Sequence, residues 1–122
     1  MITKNKMTTN YTVEIDKTKY YFEDLELKEN AIGKMSLPYQ TIDKIYLSVA
    51  ADILSDREKE LNYAELAFIA KRIPLSMSEI ANLIKKNKST ISKWKEKDNI
   101  PYDTSFVIKQ KLSEIIFEGL LR

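Results

Sequence analysis

The sequence predicts a mainly α protein, with five helices preceded by a short β-hairpin. Three observations lead there. Apolar residues recur at i, i+3, i+4 and i+7 through Ile42, Ile45, Tyr46, Val49, Ala50, Ile53 and Leu54, the spacing of one helical face. Two capping boxes, Asn62 with Glu65 and Ser76 with Glu79, each mark the start of a further helix. Strict alternation of apolar and polar residues, rich in aromatic and β-branched types, is confined to the front of the chain.

The whole-chain quantities limit the chemistry. A chain of 122 residues supports one domain, or a small domain with an appended segment. It contains no cysteine, which excludes a disulfide framework, a thiolate zinc site and a cysteine nucleophile. Histidine is absent too, and with it the commonest general base and metal ligand. Gly33 and Gly119 are the only glycines, so there is no glycine-rich phosphate loop. The carboxylates Glu23, Asp24 and Glu26 are clustered, but neighbours on a regular strand point to opposite faces, and solvated acids explain them more simply than a metal site. The chain is therefore expected not to be an enzyme and to use no cofactor or metal. It has no apolar run of membrane-spanning length and no signal-peptide core, so a soluble cytoplasmic protein without a membrane partner is expected.

Taken in order, residues 1–9 are polar, lack periodicity and are expected to be disordered. Residues 10–34 form the hairpin extension, with strands over Asn10–Asp16 and Lys19–Leu27. A lone two-stranded hairpin is barely stable. It must therefore lie on the helices, pair with a second copy, or act as a toxin- or partner-binding arm that orders on contact, and the sequence leaves these open. Residues Glu29–Pro38, with Gly33 and Pro38, read as a loop.

The helical domain is expected over residues 35–122. Its first helix carries the stripe from Ile42 to Leu54, which is assigned to the core, and Ser55–Glu60 is a charged linker. The next helix turns Leu66, Ile69, Ala70 and Ile73 inward, carries Lys71 and Arg72 at its end where the helix dipole favours cations, and stops at Pro74. After a turn at Asp98–Pro101, a final helix is expected over Thr104–Glu118, with Ile108, Leu112, Ile115 and Ile116 on one side.

Between these lies the most informative stretch, residues 76–97. It reads as two short amphipathic helices joined by the polar turn Lys85-Lys86-Asn87. Ile80, Ala81, Leu83 and Ile84 give the first an apolar side. On the second, which Asn87 is placed to cap, Ile91 and Trp94 face inward while Lys88, Ser89, Ser92 and Lys93 share the opposite side. Charge follows the same division. From Glu14 to Glu29 six acids face three lysines, a balance of −3, whereas from Lys71 to Lys97 eight bases face two acids, a balance of +6. A run of lysines is ordinarily a solvated helix face. Here it coincides with a helix anchored by two apolar residues and offering donors outward, as a reader of the DNA major groove requires.

The run Leu75–Trp94, and Ser89-Thr90-Ile91-Ser92-Lys93-Trp94 in particular, resembles the lambda-repressor/Cro-like (Xre) helix-turn-helix family, aligning without a gap. It departs from the family at Met77, where a glutamine is usual, at Lys85 in place of the turn glycine, at Lys86 in place of a small apolar residue, and at Lys95 in place of a glutamate. The preceding helices, the Glu65-Leu66-Ala67-Phe68-Ile69 opening and the acidic β-rich front are similar to a subgroup of antitoxins whose N-terminal segment precedes the DNA-binding domain. The zinc-containing members carry paired cysteines there, so the likeness is to the metal-free ones, over roughly residues 35–118.

The resemblance implies a five-helix lambda-repressor-like DNA-binding domain. The expected function is a sequence-specific transcriptional regulator, a dimeric repressor of its own operon and an antitoxin if a toxin is encoded beside it. Lys88, Ser89 and Ser92 are expected at base edges with Thr90 at the border, Lys85, Lys86, Lys93 and Lys97 at phosphates, and Met77 at the position of a phosphate or base contact. One recognition helix reads only a few base pairs, so a homodimer on a palindromic operator is expected, with the final helix or the hairpin as the dimer surface, the final helix favoured because Phe117, Leu120 and Leu121 prolong its apolar character. The alternative is a protein-binding adaptor or inhibitor that uses the helix-turn-helix as a scaffold, with the acidic front as its contact surface.

Overall fold

The computed structural model describes residues 7–121, with side chains to Glu118. Its front is an antiparallel ladder of β1 (Thr8–Ile15) and β2 (Thr18–Glu26), in register from Ile15 opposite Thr18 to Thr8 opposite Glu26. Residues 1–6 lie outside the described part, but the expected disorder does not extend to Thr8 and Thr9, which are paired with Glu26 and Leu25. Asp16 turns the chain in a left-handed conformation, φ 56°, which a short polar side chain tolerates. Period-two alternation sorts the ladder: Val13 and Ile15 are buried and Tyr11, Tyr20 and Phe22 half-buried on one face, while Thr12, Glu14, Lys19 and Tyr21 are exposed on the other.

The alternation breaks once. Between the pairs Thr9–Leu25 and Tyr11–Phe22 the register shifts, with Glu23 and Asp24 set against Asn10 alone. Asp24 adopts φ 56° and its N–H donates to Asn10 Oδ1 at 3.2 Å. This β-bulge replaces the regular strand expected at Glu23 and Asp24, and both are exposed.

The expected loop at Glu29–Pro38 contains a miniature ladder, β3 (Lys28–Glu29) against β4 (Met35–Ser36). Asn30 makes it possible: its side-chain oxygen accepts from the N–H groups of Ile32 and Lys34, both at 3.0 Å, and its own N–H donates to the Lys34 carbonyl at 2.8 Å. Gly33 closes the turn at φ 83°, where a side chain would be strained.

Five helices follow among the described residues: α1 (Tyr39–Ser55), α2 (Tyr63–Arg72), α3 (Met77–Leu83), α4 (Lys88–Lys97) and α5 (Tyr102–Leu121). Two compact units result, one ending at Val49 and the other beginning at Ala50, so the division falls inside α1. In the first, the Tyr11 and Tyr46 hydroxyls are bonded at 2.7 Å with their rings edge to face, tying the hairpin to the front of α1. That bond, followed by burial, raises the Tyr11 pKa above the usual phenol value.

In the second unit, Ala50, Ile53 and Leu54 of α1 join a core with Leu66 and Ile69 of α2, Ile80 of α3, Ile91 and Trp94 of α4, and Ile108, Leu112 and Ile116 of α5. Ile42, Ile73 and Ile115, expected inward, are half-buried. The helix α5 begins two residues before Thr104 because Pro101 supplies its first carbonyl acceptor, 2.8 Å from the Ser105 N–H.

Beneath the charged linker runs a polar seam that its sequence does not announce. Leu61, fully buried, donates its N–H to Ser105 Oγ at 2.9 Å and accepts the Ile100 N–H at 3.3 Å, and Ser105 Oγ donates to the Ile100 carbonyl at 3.1 Å. Lys109, 2% exposed, turns its ammonium to the carbonyls of Asp56 and Lys59. Burial lowers its pKa below the usual lysine value, the nearby Asp56 and Glu65 partly opposing it. Among the described residues no helix is long and apolar enough to cross a membrane.

Candidate nucleic-acid interface

The candidate site is built on α3, the turn after it, and α4. The first of these starts at Ser76, whose Oγ accepts the Glu79 N–H at 3.1 Å while Glu79 Oε1 accepts the Ser76 N–H at 3.1 Å. Asn62 and Glu65 form the same reciprocal pair at the start of α2, with bonds of 2.8 and 3.0 Å. Ile80, Ala81 and Ile84 are buried. Leu83, expected with them, is exposed, because at about 100° per residue it falls about 60° to one side of the sector that Ile80, Ile84 and Ala81 fill.

The turn is a Schellman closure. Lys86 N–H reaches back to the Ala81 carbonyl at 2.8 Å and Lys85 N–H to Asn82 at 3.2 Å, with Lys85 left-handed at φ 58°. Two carbonyls that the end of α3 would leave bare are thereby satisfied, at the cost of a Cβ in a conformation where glycine is preferred. Both lysines point into solvent.

At the start of α4, Asn87 has the backbone of a cap, φ −80° and ψ 150°, but its side chain accepts no helix N–H. The expected side-chain cap is not formed; the Asn87 main-chain carbonyl alone receives the Thr90 N–H, at 3.0 Å. At the other end Asp98, φ 51°, ends the helix and accepts the Tyr63 N–H at 3.3 Å, which ties α4 to α2.

Helical geometry then distributes the side chains. At about 100° per residue, Lys88, Ser92, Ser89 and Lys93 fall within one sector of about 140°. All four are exposed, opposite the buried Ile91 and Trp94. Ser92 Oγ leans back on the Lys88 carbonyl at 3.4 Å, leaving its lone pairs outward. Thr90 is half-buried at the border, with Lys97 on the same flank, and Met77 is half-buried at the first position of α3. Of the expected residues on α4, Lys88, Ser89, Ser92 and Lys93 are thus gathered on one side, while Lys97 and Thr90, about 110° and 130° from the sector's middle, flank it.

Two exposed residues of α4 outside the expected set share this surface. Lys95 borders the sector next to Lys88, and Glu96 stands near its middle, so the exposed face is not uniformly basic. Helical spacing alone could have placed both.

Comparison with protein-family models, with curated proteins and with solved structures returns no match to this chain. The site is therefore characterised by its own geometry: a braced helix pair with lysines and hydroxyls on one open side. Among the described residues no group of three or more acidic, histidine or cysteine side chains is placed to hold a metal ion.

Proposed function

We propose that this chain is a sequence-specific DNA-binding regulator of transcription with the lambda-repressor/Cro-like arrangement, in which α4 enters the major groove and α3 braces it. The observation that carries this reading is the two-sidedness of α4: Ile91 and Trp94 anchor it while Lys88, Ser89, Ser92 and Lys93 are exposed together. Lys88, Ser89 and Ser92 are assigned to base edges with Thr90 at the border, Lys85, Lys86, Lys93 and Lys97 to the backbone, and Met77 to the position of a phosphate or base contact. A homodimer on a palindrome, with half-sites about 34 Å apart, supplies the site length that one helix lacks. The same reading makes the protein a repressor of its own operon, and an antitoxin where the acidic hairpin engages a co-encoded toxin.

The test is fluorescence anisotropy with the duplex upstream of its own reading frame, across a salt series. Binding should be specific, and log affinity should fall by about 0.9 per log unit of salt for each phosphate neutralised. Lys88→Glu and Lys93→Glu should each abolish it. Affinity surviving both changes would remove α4 as the recognition helix, and a monomer at micromolar concentration in light scattering would remove the dimer.

A further inference from the structure

We infer that the second unit carries a small-ligand site between the end of α1 and the last turns of α5, suited to an amphipathic carboxylate with an apolar body and one anionic head. A cavity of about 290 Å3 opens there. This is near the lower end of small-molecule pockets, which begin at about 300 Å3, so the ligand is small. Its floor is Leu54 and Ile116, both buried, and the exposed Phe117 forms the rim. Ala51 and Ser113 explain the hollow: each is a short side chain where facing helices would otherwise interdigitate.

The head group is assigned by charge. Arg57, just beyond α1, lines the same cavity, and its guanidinium rests over the Phe106 ring 5.4 Å from the centroid. That stacking positions the cation without neutralising it, and among the described residues no carboxylate forms an ion pair with it. Ser55 also lines the cavity, but its hydroxyl donates to the Asp52 carbonyl at 3.0 Å and it sits at the negative end of α1. An anion is therefore disfavoured at Ser55 and favoured on the Arg57 side, with the Ser113 hydroxyl available as a donor along the wall. A second copy of the chain fits less well, because a symmetric contact through this opening would bring two Arg57 cations together. The inference does not involve α3 or α4, to which none of these residues belongs, but it assigns Phe117, expected at the dimer surface, to the ligand instead.

The experiment is a titration of the 15N-labelled full chain with octanoate, followed by amide chemical shifts, with octan-1-ol as the neutral control. Octanoate should give saturable shifts confined to residues 51–57 and 113–117, with Kd on the order of 1 mM, which a ligand of about ten heavy atoms reaches at ordinary efficiency. Arg57→Gln should weaken octanoate about fivefold, the upper range for an exposed ion pair, and leave octan-1-ol unchanged. Arg57→Lys should restore most of the difference, and the dispersion of each variant's spectrum reports that it is folded. Non-saturating shifts, or equal affinity for acid and alcohol, would overturn the site. Shifts at these residues that follow protein concentration instead of ligand would assign the face to a second copy and overturn it equally.

Discussion

The ammonium of Lys109, on α5, is bonded to the main-chain carbonyl of Asp56, which lies 53 residues earlier in the segment joining α1 to α2. With its second bond to the Lys59 carbonyl, this one side chain fastens an otherwise solvated segment to the core. Lys109→Met should cost about 2 to 3 kcal/mol, since hydrogen bonds to a charged donor are lost and two carbonyls are left to water. The pH dependence has a defined sign. Because burial lowers the folded pKa, the unfolded chain holds more protons just below the usual lysine range, so this group's contribution to stability rises with pH there. Urea midpoints measured from about pH 9 to 10.5 should climb more steeply in the parent than in the variant. Parallel slopes would contradict the assignment.

Trp94 is 6% exposed and pairs with Ile91 as the anchor of α4. Trp94→Ala should destabilise by about 3 to 5 kcal/mol, the range for a large aromatic removed from a core. Far-ultraviolet circular dichroism against urea measures this without the lost fluorophore. A midpoint close to the parent's would place the indole's role outside packing.

Lys85 occupies a left-handed position between α3 and α4. Lys85→Gly should raise stability by about 1 kcal/mol through relief of that strain, and should lower the salt slope of DNA binding by about one phosphate contact. A gain in melting temperature with an unchanged slope would keep the turn as described and remove Lys85 from the phosphate set.

Glu96 stands amid the exposed sector of α4. If that sector meets DNA, Glu96→Gln should tighten binding by about two- to fivefold at low salt, and the gain should fade as salt screens it. Anisotropy titrations at two salt concentrations decide the matter. A weaker complex would mean that Glu96 accepts a base amino group.

The helices were legible because their signals are local. Both capping boxes, the apolar stripe of α1 and the inward Ile91 and Trp94 are fixed by residues within a turn or two of each other. The polar side of α4 was equally legible from spacing. What escaped depends on distant partners or on single side-chain torsions. Leu61 and Ser105 meet across 44 residues, and Lys109 reads as a surface lysine until the carbonyls it serves come into place. The bulge at Asp24 turns on the cross-strand Asn10, and the missing side-chain cap at Asn87 turns on one rotamer.

The contact between Ile100 and Leu61 has a topological meaning. The backbone leaves at Leu61, builds α2, α3 and α4, and comes back to the same point, so these helices hang from a closed ring whose clasp is Leu61, Ile100 and Ser105. The entropy of closing such a ring grows only logarithmically, by about 0.6 kcal/mol for each doubling of its length. Residues inserted within the ring would therefore disturb the clasp little, and the helices it carries can diversify in sequence while their point of attachment stays fixed.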